Sequence, residues 1–172
     1  GRTRRDMRNH RKLFIVDGAI GYAGSQNIVA KDFRLGVVNR ELVARVTGPA
    51  VAAMSAIFVA DWYLETEDLL DSAIAVPAQS GADALQVLPS GANYPLEGFL
   101  TMLTWQVGQA ESEIVIVTPY LIPDEALLVA LQTAVVRGVE VHIVVSAVVD
   151  QWLVNLAQAS YYDELLARGV RI

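Results

Sequence analysis

The chain has 172 residues, of which 53% are hydrophobic, and a formal net charge of −6. This length allows one domain with a substantial core, or two smaller lobes. The sequence has no cysteine, which excludes disulfide bonds, thiolate catalysis and cysteine-based zinc sites. Its uncharged stretches fall short of the ~20 apolar residues that a bilayer span requires, so we expect a soluble chain without a transmembrane segment.

The charges are unevenly distributed along the sequence. Residues 1–12 hold five arginines and one lysine against one aspartate, a net charge of +5, so the remaining residues must carry −11 to give −6 overall. A basic cluster suits an anionic substrate. An acidic body argues against nucleic-acid binding, for which a basic face is expected, and we therefore expect no nucleic-acid partner.

The first part of the sequence predicts a hairpin, a third strand and a helix. The predicted elements, in chain order, are strands at 12–17 and 20–24, a loop at 33–39, a strand at 41–46 and a helix from 48 to about 67. Asp17-Gly18 is a turn signal between the first two strands. Pro49 favours the start of the helix, because its missing N–H costs nothing in the first helical turn.

The second part of the sequence alternates strands with helices. Residues 71–84 contain Pro77, Gly81 and many alanines and predict a linker. The elements predicted after it are strands at 85–88, 114–117 and 139–145, helices at 96–110, 124–137 and 151–168, and one more strand opening at Val170. This alternation is typical of parallel pairing. We therefore predict an α/β fold with a mixed, mostly parallel sheet flanked by helices.

One polar motif stands out beside the first predicted strand. His10, Lys12 and Asp17 form a His-x-Lys-x4-Asp pattern, and Gly-Ser-x-Asn follows with Ser25 and Asn27. Residues two apart on an extended segment project to the same face, and the hairpin can bring Ser25 and Asn27 alongside His10 and Lys12. An imidazole surrounded by an ammonium, an amide and a hydroxyl can hold a phosphate and stabilise the charge that builds during attack.

The other candidate residues have weaker signals. Asp17 is predicted at the turn, where it would orient backbone or a neighbouring histidine rather than touch substrate. Glu41 is either a strand-edge charge or a supporting residue that orients a histidine. His142 has no nearby ligand set and is expected to be structural. No metal or cofactor is required, since Lys12 and Asn27 supply the stabilisation.

These residues resemble the phospholipase D superfamily, whose hallmark is His-x-Lys-x4-Asp with a downstream Gly-Ser-x-Asn. The resemblance narrows to bacterial cardiolipin synthases and covers essentially the whole chain. It is carried by the segments at 8–12, 21–28, 48–51, 61–62, 118–125, 137–141 and 160–162.

The resemblance implies phosphatidyl transfer through a phosphohistidine, with His10, Lys12 and Asp17 as the catalytic motif. One histidine attacks the phosphodiester, and a second protonates the leaving alcohol and then activates a glycerol hydroxyl; His10 takes one of these roles. Lys12 and Asn27 would bind phosphate oxygens, with Ser25 supporting. The implied partner is an anionic, phosphatidylglycerol-like phospholipid, met at the cell membrane by the parent protein. Two alternatives stay open, a phospholipase D or nuclease of the same superfamily and a non-catalytic phosphate-binding fragment.

The chain departs from the family pattern because it holds one motif where the family has two. We interpret residues 1–70 as the motif-bearing half of a first lobe, 71–84 as a linker and 85–172 as the opening half of a second lobe. Such a central fragment is expected to be inactive alone. The two halves could instead complete one permuted lobe with a shared sheet, and a homodimer would then pair His10 with its copy.

Overall fold

The structure is a computed structural model that describes residues 9–30, 32–33, 36, 38–71, 74–79, 81–91, 94, 98–148 and 151–172. The arginines at positions 2–8, much of the predicted 33–39 loop and three residues of the predicted linker lie outside the described residues. The chain divides into two compact units, Gly1–Pro95 and Leu96–Ile172.

The first unit is an antiparallel sheet with one long helix. Its elements are β1 (Leu13–Val16), β2 (Ile20–Gly24), β3 (Val43–Thr47) and α1 (Ala50–Thr66), so each element predicted there is confirmed within a few residues. The strand order is β1-β2-β3, and both strand pairs are antiparallel. The Asp17-Gly18 turn explains the tight hairpin, because both residues have positive φ, at 53° and 63°, as a type I′ turn requires.

The core of the first unit is small and lies between the sheet and α1. Of the described residues, Val46, Val51 and Met54 are buried there. Gly21 on β2 leaves room for Met54, since a Cβ at that position would lie 2.5 Å from the methionine sulfur. The opposite face of the same sheet is more open, and Phe14 on β1 is 41% exposed.

The second unit is a parallel strand pair surrounded by helices. Its elements, in chain order, are α2 (Gly98–Gln109), β4 (Glu113–Val117), α3 (Glu125–Val136), β5 (Glu140–Val144), α4 (Trp152–Ala159) and α5 (Tyr162–Ala167). Strand β4 pairs with β5 in parallel. Arg171 adds a parallel bridge beside β5, donating its N–H to Val141 O at 2.9 Å and accepting from Ile143 N at 2.7 Å, where the sequence predicts a further strand.

The core of the second unit is the larger of the two. Among the residues that the structure describes, it contains ten buried hydrophobic residues: Val107, Leu121, Leu127, Leu131, Ala134, Val139, Val141, Ile143, Leu165 and Val170. Helix α3 begins with a side-chain cap, because Asp124 Oδ1 accepts from Leu127 N at 2.9 Å. The chain leaves that helix through Gly138, whose φ is 90°, a conformation that glycine adopts without strain.

Two predicted elements are wrong. Residues 85–88 form no strand; the apolar pattern there reflects Val87, which packs against the core of the first unit. The predicted helix 151–168 is broken into α4 and α5 at Ser160 and Tyr161. The Ser160 hydroxyl donates to Ala157 O at 2.6 Å, and such local bonds compete with helix continuation.

The α/β fold class with mixed strand pairing is confirmed. Parallel pairing occurs in the second unit and antiparallel pairing in the first, so the described strands form two sheets of different type. The described strands of each unit form a separate sheet, and the permuted lobe stays a prediction. Within the described residues, none of the helices combines the length and apolar character needed to cross a membrane.

Candidate active site

His10 and Lys12 lie side by side just before β1. Lys12 Nζ is 2.9 Å from His10 Nδ1 and donates to the His10 carbonyl oxygen at 2.8 Å. The His10 side chain is exposed. We call this region, residues 10–12 with 25–27 and 41–42, the motif end of the sheet, because β2 ends and β3 begins beside it.

The contact between the two side chains constrains the protons of the imidazole. An ammonium group has three donors and no acceptor, so the lysine donates and Nδ1 accepts. A neutral His10 ring in this arrangement therefore carries its proton on Nε2. Nε2–H of such a ring can donate a hydrogen bond, and Nε2 has no free lone pair for attack until the ring proton moves to Nδ1.

Lys12 is partly buried, and two effects of its surroundings shift its pKa in opposite directions. Partial burial lowers the pKa of Lys12 below its usual value, while the Glu41 carboxylate raises it. Glu41 therefore acts on Lys12. Its predicted role of orienting a histidine stays a prediction, and the contact that the structure shows for its carboxylate is with Ser25.

Ser25 joins the ends of β2 and β3. Its Oγ donates to Glu41 Oε2 at 2.5 Å and accepts from Leu42 N at 3.0 Å. Gly24 permits this close approach, because a Cβ there would lie 2.2 Å from Leu42 O and 2.7 Å from Val43 Cα. Ser25 therefore binds the carboxylate that raises the pKa of Lys12, a link that the alternation of side chains along the strands did not predict.

Asn27 and Asp17 lie toward opposite ends of the β1–β2 hairpin. Asn27 is exposed, three residues beyond the end of β2. Asp17 occupies the hairpin turn at the other end of β1, roughly 16 Å from Lys12 for five residues at about 3.3 Å each. The structure therefore brings Lys12 together with His10 and Glu41, but not with Asp17.

Arg11 is the residue of this region whose role the sequence reasoning missed. It lies between His10 and Lys12, and its guanidinium binds Asp61 on α1, with Nε 2.8 Å from Oδ2 and Nη2 against Oδ1. The ion pair lowers the pKa of Asp61 and raises that of Arg11. Assigning Arg11 to a basic cluster for anionic substrates is therefore wrong, because its charge is paired. The sequence does contain a signal for this difference, because adjacent residues of an extended segment project to opposite faces, which places Arg11 away from His10 and Lys12.

His142, the second histidine of the chain, lies in the second unit among charged side chains. Its Nε2 is 3.3 Å from Glu140 Oε2 and 3.9 Å from Glu113 Oε1, and Arg171 Nη1 is 3.2 Å from the same Glu140 oxygen. The sequence predicted no ligand set around His142. Among the described residues, no group of three or more His, Cys, Asp or Glu side chains is arranged to hold a metal ion.

Comparison with known proteins shows which family and which proteins this chain resembles. Residues 103–172 match the family model described as "Cardiolipin synthase, PLD-like domain". This match covers most of the second unit, and the motif end lies outside it. No solved structure matches the chain.

Curated relatives align over nearly the whole chain. Proteins named Cardiolipin synthase A are 36% identical in Erwinia tasmaniensis, 37% in Pectobacterium atrosepticum and 33% in Yersinia pestis, each over 98% of this chain. The chain spans 37% of the length of each of these relatives. The chain is thus similar to about one third of a bacterial cardiolipin synthase, and its second unit is similar to a PLD-like domain.

Proposed function

We propose that this chain supplies one histidine site of a cardiolipin synthase-type phosphatidyltransferase, which exchanges phosphodiesters through a phosphohistidine. The observation that carries the proposal is the Lys12 ammonium, 2.9 Å from the exposed His10 imidazole. Alignment of 98% of the chain with proteins named Cardiolipin synthase A supports the same reaction. The proposed substrate of the whole protein is an anionic, phosphatidylglycerol-like phospholipid, reached at the membrane surface without a cofactor.

In the proposed first step, Lys12 moves from His10 to the substrate. Binding of a phosphodiester draws the ammonium from Nδ1 to a phosphate oxygen, where a charge-assisted hydrogen bond is stronger than the bond to a neutral ring. The freed Nδ1 can then carry the ring proton, which leaves a lone pair on Nε2. Substrate binding and activation of His10 are thereby coupled through Lys12.

In the proposed second step, Nε2 attacks phosphorus. A phosphorus–nitrogen bond forms as the phosphorus–oxygen bond to the leaving alcohol breaks, and Lys12 stabilises the charge on the phosphoryl oxygens. Asn27 at the exposed motif end would bind a further oxygen, and Ser25 would hold Glu41 beside Lys12. Asp17 would act only through the hairpin that it helps to form.

The leaving alkoxide requires a proton from a second histidine. His142 is held by Glu140 and Arg171, and we assign it no catalytic role. We propose that residues 1–70 belong to one lobe, 71–84 to a linker and 85–172 to the opening half of another lobe that carries its own motif. This chain alone would then lack turnover unless a homodimer pairs two His10 side chains.

An activated phosphodiester tests this assignment without the second histidine. Bis(p-nitrophenyl) phosphate has a leaving group that departs as an anion, so no general acid is needed. We expect a burst of about one p-nitrophenolate per chain, without turnover. His10→Ala should abolish the burst, and Lys12→Met should slow it by about 100-fold, the loss typical of one removed charge-stabilising group.

His142→Ala is the matched control and should retain the full burst, since it removes the chain's other histidine. A folded wild-type chain that releases no p-nitrophenolate would contradict the proposal and leave a non-catalytic phosphate-binding role. Continued release at the wild-type rate in His10→Ala would also contradict it. A phospholipase D or nuclease would pass the phosphoryl group to water even with glycerol present, and the acidic composition disfavours the nuclease.

A further inference from the structure

We propose that Asp61 on α1 is a positioning residue for the His10–Lys12 pair. The inference rests on the proposed function for what that pair does, but the placement of the pair can be tested without any reaction. Asp61 lies 51 positions after His10 in the sequence and has no place in the His-x-Lys-x4-Asp pattern.

Arg11, the residue after His10, binds this carboxylate directly, and Asn9, the residue before His10, contributes to its lowered pKa. Arg11 binds the carboxylate through two nitrogens, with Nε 2.8 Å from Oδ2 and Nη2 against Oδ1. A hydrogen bond from the Asn9 side chain contributes to the lowered pKa of Asp61. Asn9 Oδ1 also accepts from Arg11 N at 2.9 Å, which closes the arrangement around the His10 backbone.

A second anchor fixes the remaining nitrogen of the Arg11 guanidinium. Nη1 donates to Ser90 O at 2.6 Å, and the guanidinium carbon lies 5.3 Å from the centre of the Tyr94 ring. Gly91 lies close by, since a Cβ there would come within 3.4 Å of Nη1. Arg11 thus connects the start of β1 to α1 and also to Ser90 and Tyr94. A planar guanidinium that is bound on two sides has little freedom to rotate.

Because side chains alternate along an extended segment, the binding of Arg11 to Asp61 also fixes the direction in which His10 and Lys12 project. Asn9 and Arg11 face α1, so His10 and Lys12 project to the other side. The ion pair is largely shielded from solvent, with side chains 24% exposed for Arg11 and 14% for Asp61. Loss of the carboxylate should therefore free the His10 backbone and loosen the contact between Lys12 and the ring.

The direct test is nitrogen NMR of the imidazole rings in the full 172-residue chain. The sequence has two histidines, so His10→Gln assigns the signals and His142 in the other unit serves as an internal reference. We expect Asp61→Asn to move both His10 ring nitrogens toward the averaged positions of a free imidazole, while His142 stays unchanged. Asp61→Glu should restore part of the wild-type signal, and Glu65→Gln, one turn further along α1, should change nothing.

The single-turnover rate with bis(p-nitrophenyl) phosphate gives the second readout. Asp61→Asn should slow the burst by about 10- to 100-fold, the range expected for a misplaced reacting group, without changing its amplitude. If the wild type shows no burst, the proposed function fails, but the nitrogen signals still decide the positioning role. If Asp61→Asn does not fold, Arg11→Lys takes its place, because it keeps the charge but loses the fork. Wild-type His10 signals in a folded Asp61→Asn or Arg11→Lys chain would overturn the proposal.

Discussion

The interactions that stabilise the first unit internally differ in kind from those that stabilise the second. In the described part of the chain, the second unit buries ten hydrophobic residues around its parallel strands and helices, and the first unit buries three. The first unit also has polar contacts around its antiparallel sheet, Arg11 with Asp61 and Ser25 with Glu41. The unit that carries the candidate chemistry therefore depends on charged and polar contacts for its local geometry. We expect it to respond to pH and to polar substitutions, whereas the second unit should respond mainly to changes in apolar volume.

The largest effect is expected in the core of the second unit. Leu131 on α3 is fully buried, so Leu131→Ala should lower the free energy of unfolding of that unit by about 2–5 kcal/mol. Urea titration followed by the His142 and His10 ring signals would report the two units separately. Val136→Ala on the same helix is the control, because Val136 is 83% exposed. An equal loss of stability at His10 would contradict the separation of the two units.

A smaller but more local effect is expected where β2 meets β3. In Gly24→Ala the new Cβ would overlap the backbone at Leu42 and Val43, and a forced backbone shift costs about 1–3 kcal/mol. The backbone shift should also separate Ser25 from Glu41. If the Glu41 carboxylate then moves away from Lys12, the pKa of Lys12 should fall. Urea titration and the pH titration of Lys12 would measure both changes. Gly108→Ala in α2 is the control, since nothing lies within 4 Å of its Cβ and helical alanine is stabilising.

The smallest expected effect is the pH dependence of the first unit. The pKa of Asp61 is lowered in the folded protein by the bond from Arg11. Its stabilising contribution is therefore fully present above the unfolded-state value of about 3.9 and is lost as the pH falls through the lower folded value. Acid titration at fixed urea should show this loss, about 1–2 kcal/mol for a charge-assisted bond. Asp61→Asn should remove it and Glu65→Gln should keep it; an unchanged acid profile in Asp61→Asn would contradict this.

Local signals explain what could be predicted from the sequence. The Asp17-Gly18 turn and the flanking apolar runs each act within a few residues, and the strands built on them are confirmed. The adjacency of His10 and Lys12 follows from the same alternation. The α/β class follows from the spacing of the longer elements.

Contacts distant in sequence explain what could not be predicted. Gln158 is buried and accepts from Leu121 N at 2.6 Å, a tertiary bond that local helical periodicity does not reveal and that accompanies the break between α4 and α5. Val87 packs against a core built from residues far earlier in the chain. The Arg11–Asp61 pair spans 50 positions. The alternation of side chains predicts that Arg11 projects away from His10, but the sequence does not indicate which carboxylate binds Arg11.

We propose that His10 is the residue that accepts the phosphoryl group. The most direct test is to quench the reaction with bis(p-nitrophenyl) phosphate under alkaline conditions, digest the chain and locate the added phosphoryl group by peptide mass spectrometry. We expect one modified residue, His10, in the wild type and in His142→Ala, and no modification in His10→Ala. A phosphoryl group on any other residue, or none at all in the folded wild-type chain, would contradict it.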